Sequence, residues 1–392
     1  MPYWIASEYS YVQHGRDLRL DFLRGLVMIV VICVHLEYLS LLSVFMWERL
    51  GMISSAEGFV ALSGVVLGIV NKKRLIKEGF QAAALKLVRR AGQLYIVNII
   101  MVLSILLFMH IPSIDMNSIT HWVSPAGGPS HPLFPAEGSP WQQTLRQLLL
   151  LEIGPHQFRV IGLYAFLIAW APFVLYLLDK HYTAQLLALS WGAYIINMWI
   201  EIRITNAGFE YAFPVLTWQM LFYNGIILGF HYEKVFVFCA DHLHKHWIYL
   251  AVFFSTLFML FALANPEPVF WPWATWQVFT PLAYKKIYMT WFYKSSLGIG
   301  RIINNVLFYT TLFAFINWHW QHCYRWFGWL LIPIGQASLY VFIWHVYLVL
   351  FWNNTPLPGY HNFWLNTLIH ILSIGLIWTM VKKEFLFALV PR

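Results

Sequence analysis

The sequence predicts an all-α protein that forms a polytopic bundle of transmembrane helices, and two features of its composition lead to that prediction. Hydrophobic residues make up 60% of the 392 residues, whereas Asp, Glu, Lys and Arg make up only 11%, against roughly 25% in an average soluble domain. So few charged side chains cannot cover the surface of a water-soluble chain of this length. Membrane lipid is therefore the expected solvent for most of the protein.

Apolar stretches recur along the chain at lengths that fit a bilayer, since a spanning helix needs about 20 apolar residues. The predicted spans, about ten in number, cover residues 25–45, 52–70, 91–111, 160–178, 184–200, 213–231, 247–264, 302–317, 328–352 and 363–381. With the N terminus inside, 17 Lys and Arg residues fall on the cytoplasmic side and 8 outside. This excess favours an N-in, C-in orientation, and we expect a single integral membrane domain over residues 1–392.

Two other kinds of partner fit the sequence less well. The net charge of +8 is spread in short clusters between apolar stretches, so nucleic acid is not an expected partner. His242, His244 and His246 have no cysteine or carboxylate at the spacing of a metal site, and a basic cytoplasmic loop is the favoured interpretation. We therefore expect no bound metal.

Ionisable residues inside a span are costly in free energy, so each is a candidate functional residue. The first span, within RLDFLRGLVMIVVICVHLEY, brings Asp21, Arg24, His35 and Glu37. Arg24 and His35 are eleven residues apart, which places them on one helix face and about 16 Å apart along the axis. A cation at the cytoplasmic mouth and an imidazole at mid-membrane suit acyl-coenzyme A, whose phosphates and thioester lie at opposite ends.

An imidazole is also well placed to take a proton from a hydroxyl near neutral pH. The alternative is that Arg24 reaches the lipid headgroups and His35 is a hydrogen-bonded histidine of the bundle core.

The second span contributes Glu57, in AEGFVALSGVVLG. If the first two spans form a hairpin, Glu57 lies at the depth of His35, where a carboxylate can orient the imidazole and stabilise its cation. The alternative is an ion pair between Glu57 and Arg49 near the outer surface. The nearby Ser63 and Gly64 favour close helix packing over a nucleophilic role.

Polar residues further along the chain are candidates for contact with an acceptor. Ser338 and His345 are seven residues apart in the ninth span and share a helix face. His345 either forms a second polar wall of the site or hydrogen-bonds across helices. His156 and Arg159 either line an outer pocket or belong to a solvated loop, and Arg159 is the candidate cation for a distal carboxylate on the acyl group. The candidate oxyanion donors are Tyr340, Ser338 and Trp218.

Four segments in this order resemble acyltransferase family 3, and within it the OpgC-type branch, which includes the succinyltransferase of osmoregulated periplasmic glucans. They are RDLRLDFLRG with the histidine eleven residues after Arg24, AEGFVALSG followed by KLVRR, LTWQMLFYNGIILG over 216–229, and LIPIGQASLYVFIWHVYLVL over 331–350. The resemblance extends from about residue 16 to residue 381.

The resemblance implies a helical bundle around an acyl-donor tunnel that opens to the cytoplasm, in a multi-pass protein of the bacterial inner membrane. The donor would be acyl-coenzyme A, as succinyl- or acetyl-coenzyme A, and the acceptor an extracytoplasmic glycan such as a periplasmic glucan. The motif positions match Arg24 to the arginine near the coenzyme A phosphate, His35 to the histidine, Glu57 to the glutamate, and Arg89 and Arg90 to the basic pair.

The resulting prediction is an acyl-coenzyme A-dependent O-acyltransferase. His35 takes the proton of the sugar hydroxyl, and Glu57 or Glu37 stabilises the imidazolium. Asp21 joins Arg24 at the donor site. Direct transfer is the simpler route, and an acyl-histidine intermediate is the alternative.

Two other functions are alternatives to this prediction. A proton-coupled transporter also needs intramembrane His, Glu and Arg, but it predicts two matching halves with interrupted helices, and the sequence has no such repeat. A non-catalytic scaffold or glycan-binding partner has no need for a histidine three turns beyond Arg24.

Overall fold

The computed structural model describes residues 11–13, 15–123, 129–136, 138–242, 245–266, 275–357 and 362–387. Within these ranges the only strands are two short antiparallel hairpins, β1 (Val12–Gln13) with β2 (Arg16–Asp17) and β3 (His121–Trp122) with β4 (His131–Pro132). The helices are α1 (Leu18–Leu36), α2 (Ser55–Glu78), α3 (Phe80–Phe108), α4 (Asn117–Thr120), α5 (Trp141–Leu149), α6 (Arg159–Asp179), α7 (Thr183–Ile200), α8 (Val215–Phe230), α9 (Tyr232–His242), α10 (Lys245–Leu263), α11 (Pro281–Ile287), α12 (Ile299–Trp318), α13 (Trp320–Cys323), α14 (Trp329–Gln336), α15 (Ser338–Asn353) and α16 (Phe363–Lys382).

The chain folds as two compact units. The first comprises Met1–Phe59, Tyr232–Leu348 and Pro356–Arg392, and the second comprises Val60–His231 and Val349–Thr355. In the first unit α1 packs against α14, α16 and α12, and α10 packs against α12. In the second, α3 packs against α6, and α8 packs against both α6 and α7. The single domain expected over residues 1–392 stays a prediction.

Helix α1 does not occupy the predicted span 25–45. It begins at Leu18, because the Asp17 side chain accepts a hydrogen bond from the Arg19 backbone N–H and so caps the first turn. It ends at Leu36, because Glu37 adopts a left-handed conformation with φ of 58°. Residues Leu41–Phe45 form a separate 3-10 helix. His35 therefore lies in the last turn of α1 rather than in the middle of a longer helix.

Five helices of the described chain are long and apolar enough to cross a membrane. They are Phe80–Phe108, His156–Asp179, His246–Leu263, Ile299–Trp318 and Phe363–Lys382. Large apolar side chains on these and neighbouring helices are exposed, for example Phe253 on α10 and Trp199 on α7, as expected where lipid replaces water. The predicted count of about ten spans and the N-in, C-in orientation stay predictions.

The predicted ninth span, 328–352, is not one straight helix. Helices α14 and α15 meet at 90°, where Ala337 leaves the helical conformation with φ of −106° and ψ of 30°. With this bend counted as one span, the number of candidate spans in the described residues rises to six. The break falls at Ala337, where Gly335, Gln336 and Ser338 interrupt the otherwise apolar stretch 328–352.

In the second unit, glycines let α2 and α8 approach closely. An added Cβ on Gly64 would lie 2.2 Å from the Phe222 carbonyl oxygen, and one on Gly229 would lie 2.0 Å from the Val65 carbonyl oxygen. Such distances are possible only without side chains. The prediction of a close helix-packing site is confirmed at Gly64.

Candidate functional site

The polar face of α1 lies in the first unit, where α1 and α14 are in backbone contact. A Cβ on Gly25 would lie 2.0 Å from the Leu331 carbonyl oxygen, and one on Gly335 would lie 1.8 Å from the Asp21 carbonyl oxygen. Because both positions are glycine, the residues that follow Gly335 can reach the polar side chains of α1.

Asp21 is the first of these side chains, and it is buried. Its carboxylate accepts hydrogen bonds from Arg16 Nε at 3.1 Å, from Arg16 Nη2 at 2.9 Å and from Gln336 Nε2 at 3.2 Å. Arg24 Nη1 lies 3.7 Å from Asp21 Oδ1. The hydrogen bond to Asp21 raises the pKa of Arg16. The Asp21 carboxylate thus contacts the side chains of Arg16, Arg24 and Gln336.

Arg24 lies one turn further along α1 and donates a hydrogen bond to Ser338 Oγ at the start of α15. Ser338 is buried, and the Arg24 side chain is 17% exposed. The structure therefore brings together three predicted site residues, Asp21, Arg24 and Ser338, at the N-terminal end of α1.

His35 meets His345 of α15. The two imidazoles stack with their centroids 4.8 Å apart and an interplanar angle of 23°, and His35 Nδ1 lies 2.8 Å from His345 Nε2. His345 is 1% exposed, and the Phe342 ring packs edge-on against it at 4.9 Å. His35 is only half-buried. This contact across helices is one of the two roles that the sequence left open for His345. Its role as a polar wall of the acceptor site stays a prediction.

Glu57 lies elsewhere, in a buried ionic cluster with Arg301. Its carboxylate accepts hydrogen bonds from Arg301 Nε and from the Ser54 backbone N–H. Arg301 also forms an ion pair with Glu48 at 2.6 Å and donates a hydrogen bond to the Phe292 carbonyl oxygen at 3.0 Å. Both Glu57 and Arg301 have no exposed surface. The structure thus pairs Glu57 with Arg301, rather than with His35 or Arg49 as the sequence suggested.

Two residues near the cluster have shifted protonation equilibria. Burial raises the pKa of the Tyr288 phenol, whose hydroxyl donates a hydrogen bond to Glu48 Oε1 at 3.4 Å. Burial also lowers the pKa of the Lys294 ammonium, whereas the charge of Glu57 acts in the opposite direction. Arg301 is the cation that forms ion pairs with both Glu48 and Glu57.

The remaining candidates of the first unit, Tyr340 and Glu37, contact or form the ends of helices. The Tyr340 hydroxyl donates a hydrogen bond to the Phe385 carbonyl oxygen at 2.7 Å, and its ring packs against Phe387. Tyr340 is fully buried. Its hydrogen bond connects α15 to the segment that directly follows the C-terminal end of α16. Glu37 is the left-handed residue that ends α1.

Five predicted site residues belong to the second unit. Arg89 is exposed on α3 beside the half-buried Arg90. His156 starts a 3-10 helix (His156–Phe158) directly before Arg159, which lines a small cleft with Asn98 and Pro155. Trp218 is fully buried and packs edge-on against Phe213 at 4.7 Å, so its ring belongs to the core of that unit. The roles of these residues in donor or acceptor binding stay predictions.

Two buried polar residues of the first unit are absent from the candidates that the sequence provides. Arg301 lies one residue before the predicted span 302–317, yet Arg301, Asn304 and Asn305 share one helix face and are all buried. His370 of α16 lies inside the predicted span 363–381, and its Nδ1 lies 2.7 Å from Ser40 Oγ. Polar residues at helical spacing inside an apolar stretch were the available signal. Of the three histidines His242, His244 and His246, His244 lies outside the described residues.

Comparison with known proteins gives one match. The family described as OpgC protein matches residues 16–386, nearly the whole chain. No curated protein and no solved structure matches the chain. The resemblance predicted from the four sequence segments is confirmed.

Proposed function

Because this chain belongs to the OpgC protein family, which implies a glucan-modifying acyltransferase, we propose that it is a multi-pass O-acyltransferase of the bacterial inner membrane. The donor is cytoplasmic acyl-coenzyme A, with succinyl-coenzyme A favoured over acetyl-coenzyme A. The acceptor is a hydroxyl group of an extracytoplasmic envelope glycan such as a periplasmic glucan. The observation that carries the chemistry is the contact between His35 and His345.

The two histidines differ in exposure, and this difference assigns their roles. His35 is half-buried, whereas His345 is 1% exposed and packed by Phe342. The more accessible imidazole, His35, is the general base that meets the hydroxyl. His345 is a positioning residue, because the 2.8 Å contact between His35 Nδ1 and His345 Nε2 fixes the orientation of the His35 ring.

The transfer then proceeds without a covalent enzyme intermediate. His35 accepts the proton of the acceptor hydroxyl while its oxygen attacks the thioester carbonyl carbon, and a C–O bond forms. The carbon–sulfur bond breaks, and the imidazolium returns the proton to the leaving thiolate. The products are the glycan ester and free coenzyme A.

The length of the donor matches the spacing along α1. Arg24 lies at the end of the helix that the predicted orientation places in the cytoplasm, and His35 lies about 16 Å deeper along the axis. Phosphates near the Arg24 end and a thioester at His35 therefore suit one elongated molecule. The ion pair with Asp21 and the hydrogen bond to Ser338 hold the Arg24 guanidinium in a defined position.

The test measures coenzyme A release by the purified protein in detergent. Succinyl- and acetyl-coenzyme A are offered separately, with and without periplasmic glucan. We expect glucan-dependent release that falls about 10²- to 10⁴-fold in His35→Ala, as for loss of a general base. His345→Ala lowers kcat less and leaves KM for the donor unchanged. His322→Ala, which removes an exposed histidine of the same unit, is the matched control with normal release.

Two results would contradict the proposal. A folded His35→Ala protein that releases coenzyme A at the normal rate excludes His35 as the base. Binding of the donor without release on any glucan excludes glucan as the acceptor.

A further inference from the structure

A cavity of about 460 Å³ lies at the N-terminal end of α1, in the first unit. Its wall includes Gln13 and Leu18 before and at the start of α1, Ile332 and Pro333 of α14, and Lys382 of α16. Its volume falls within the range of small-molecule sites, roughly 300–1,000 Å³. None of the residues assigned to the site above lines it, so the cavity is a separate feature of the unit.

Two cations from different elements line this cavity. Arg325 lies in the π-helical turn Tyr324–Gly328, and Lys382 is the last residue of α16. Both are exposed, and among the residues that the structure describes none in the cavity wall is acidic. In the described part of the chain neither side chain has an ion-pair partner. Two unneutralised cations at one cavity favour an anion with more than one charge, and an arginine fork suits phosphate oxygens.

Aromatic rings lie beside the cations. Tyr324 and Trp329 both line the cavity. Trp329 is held by its indole N–H, which donates to the Trp326 carbonyl oxygen at 2.9 Å, and by Trp378, whose indole N–H donates to the Trp329 carbonyl oxygen at 2.9 Å. A fixed aromatic face next to phosphate-binding cations suits a purine base, because every base can stack on an aromatic ring.

We propose that this cavity binds the phosphorylated adenosine end of the acyl-coenzyme A donor. The inference rests on the proposed function and deepens it, since it adds Arg325, Lys382 and Trp329, beyond the Arg24 end of α1, to the residues that recognise the donor. Leu18 in the cavity wall and His35 are seventeen residues apart on α1, which corresponds to about 25 Å. A ligand held by its nucleotide in the cavity must be elongated to present a thioester at His35, as acyl-coenzyme A is.

The test is equilibrium binding of coenzyme A to the purified full-length protein in lipid nanodiscs, with dephospho-coenzyme A as the comparison ligand. Arg325→Gln and Lys382→Gln each weaken coenzyme A binding about tenfold or more, the usual effect of losing a charged hydrogen bond. The double variant also loses the preference for coenzyme A over dephospho-coenzyme A. Trp329→Leu weakens both ligands alike. Lys383→Gln removes the neighbouring exposed charge outside the cavity and leaves binding unchanged.

The outcomes separate this inference from the proposed function. If the folded Arg325→Gln/Lys382→Gln protein binds coenzyme A as tightly as the wild type, the cavity assignment is wrong. The acyltransferase proposal is unaffected by that result. A wild type that binds no coenzyme A overturns both. If the double variant loses binding of anionic phospholipid while coenzyme A binding stays normal, the cavity holds a lipid phosphate and the inference is wrong.

Discussion

Arg301 is the residue on which the buried charges of the first unit depend. Its guanidinium contacts Glu57 and Glu48, and it has no exposed surface. Taking one partner out of such a group leaves the others as uncompensated charges in a low-dielectric environment, which is more damaging than losing an exposed ion pair.

We expect Arg301→Met to destabilise the protein by about 3–5 kcal/mol, because it leaves the carboxylates of Glu57 and Glu48 without the guanidinium that pairs with both. Thermal unfolding of the purified protein in detergent measures the effect. Lys285→Met, which removes an exposed cation of the same unit, is the control and should unfold like the wild type.

The added substitution Glu57→Gln should recover part of the stability lost in Arg301→Met, since it removes one of the stranded charges. If Arg301→Met unfolds at the wild-type temperature, the ionic cluster does not stabilise the fold.

For single residues, the sequence identified the candidate side chains of the site more reliably than it identified the contacts between them. Asp21, Arg24, His35 and His345 were candidates because each is ionisable within an apolar stretch. Their contacts join positions about 310 residues apart, as for His35 and His345, and no local pattern encodes such a pairing. Glu57 was matched to His35 by depth alone, whereas its partner is 244 residues away.

Among the helices, the backbone contact between α1 and α14 positions the candidate site. It depends on Gly25 and Gly335, where an added Cβ would lie within 2.0 Å of a facing carbonyl oxygen. The contacts from Gln336 to Asp21 and from Ser338 to Arg24 follow directly after Gly335 in the chain.

We expect Gly335→Ala to push α14 away from α1, at a cost of about 1–3 kcal/mol as for other overpacked contacts. Transferase activity should fall with it, because the Arg24–Ser338 hydrogen bond opens. Unfolding temperature and coenzyme A release are both measured. Gly375→Ala in α16 is the matched control, since an added Cβ there meets nothing within 4 Å and alanine favours a helix.

A normal unfolding temperature and normal activity in Gly335→Ala would show that α1 and α14 can separate without consequence for the site. If Gly375→Ala lowered stability and activity as much as Gly335→Ala, the loss could not be attributed to the close contact between α1 and α14.

Helix positions were more predictable than helix ends. The predicted spans 160–178, 184–200 and 363–381 lie close to α6 (Arg159–Asp179), α7 (Thr183–Ile200) and α16 (Phe363–Lys382). The end of α1 before Glu37 and the bend at Ala337 were not predicted, because each falls inside a longer apolar stretch that only a few polar residues interrupt, and both depend on backbone angles.

For the whole molecule, the predicted orientation places the N and C termini in the cytoplasm. A fluorescent protein fused after Arg392 should therefore fluoresce, and alkaline phosphatase fused at residue 140 should be active, since the segment after the third predicted span lies outside. An active phosphatase and a dark fluorescent protein at the C terminus would mean an odd number of spans.

Amino-acid composition was sufficient to predict a membrane protein, and the order of the four sequence motifs was sufficient to predict the family. A charged fraction of 11% excluded a soluble chain, and the four segments in order predicted the family that matches residues 16–386. The division into two compact units could not be predicted, because two of its boundaries fall within the helices α2 and α15 rather than in polar linkers.

The abrupt end of α1 has an electrostatic consequence for the proposed chemistry. The last four carbonyl groups of a helix lack partners within it, and the aligned peptide dipoles place about half a negative charge at that end. His35 lies in this last turn, one residue before Leu36 and the left-handed Glu37. A positive charge that forms on its imidazole during transfer is therefore stabilised by the backbone of its own helix, a task for which no neighbouring carboxylate is required.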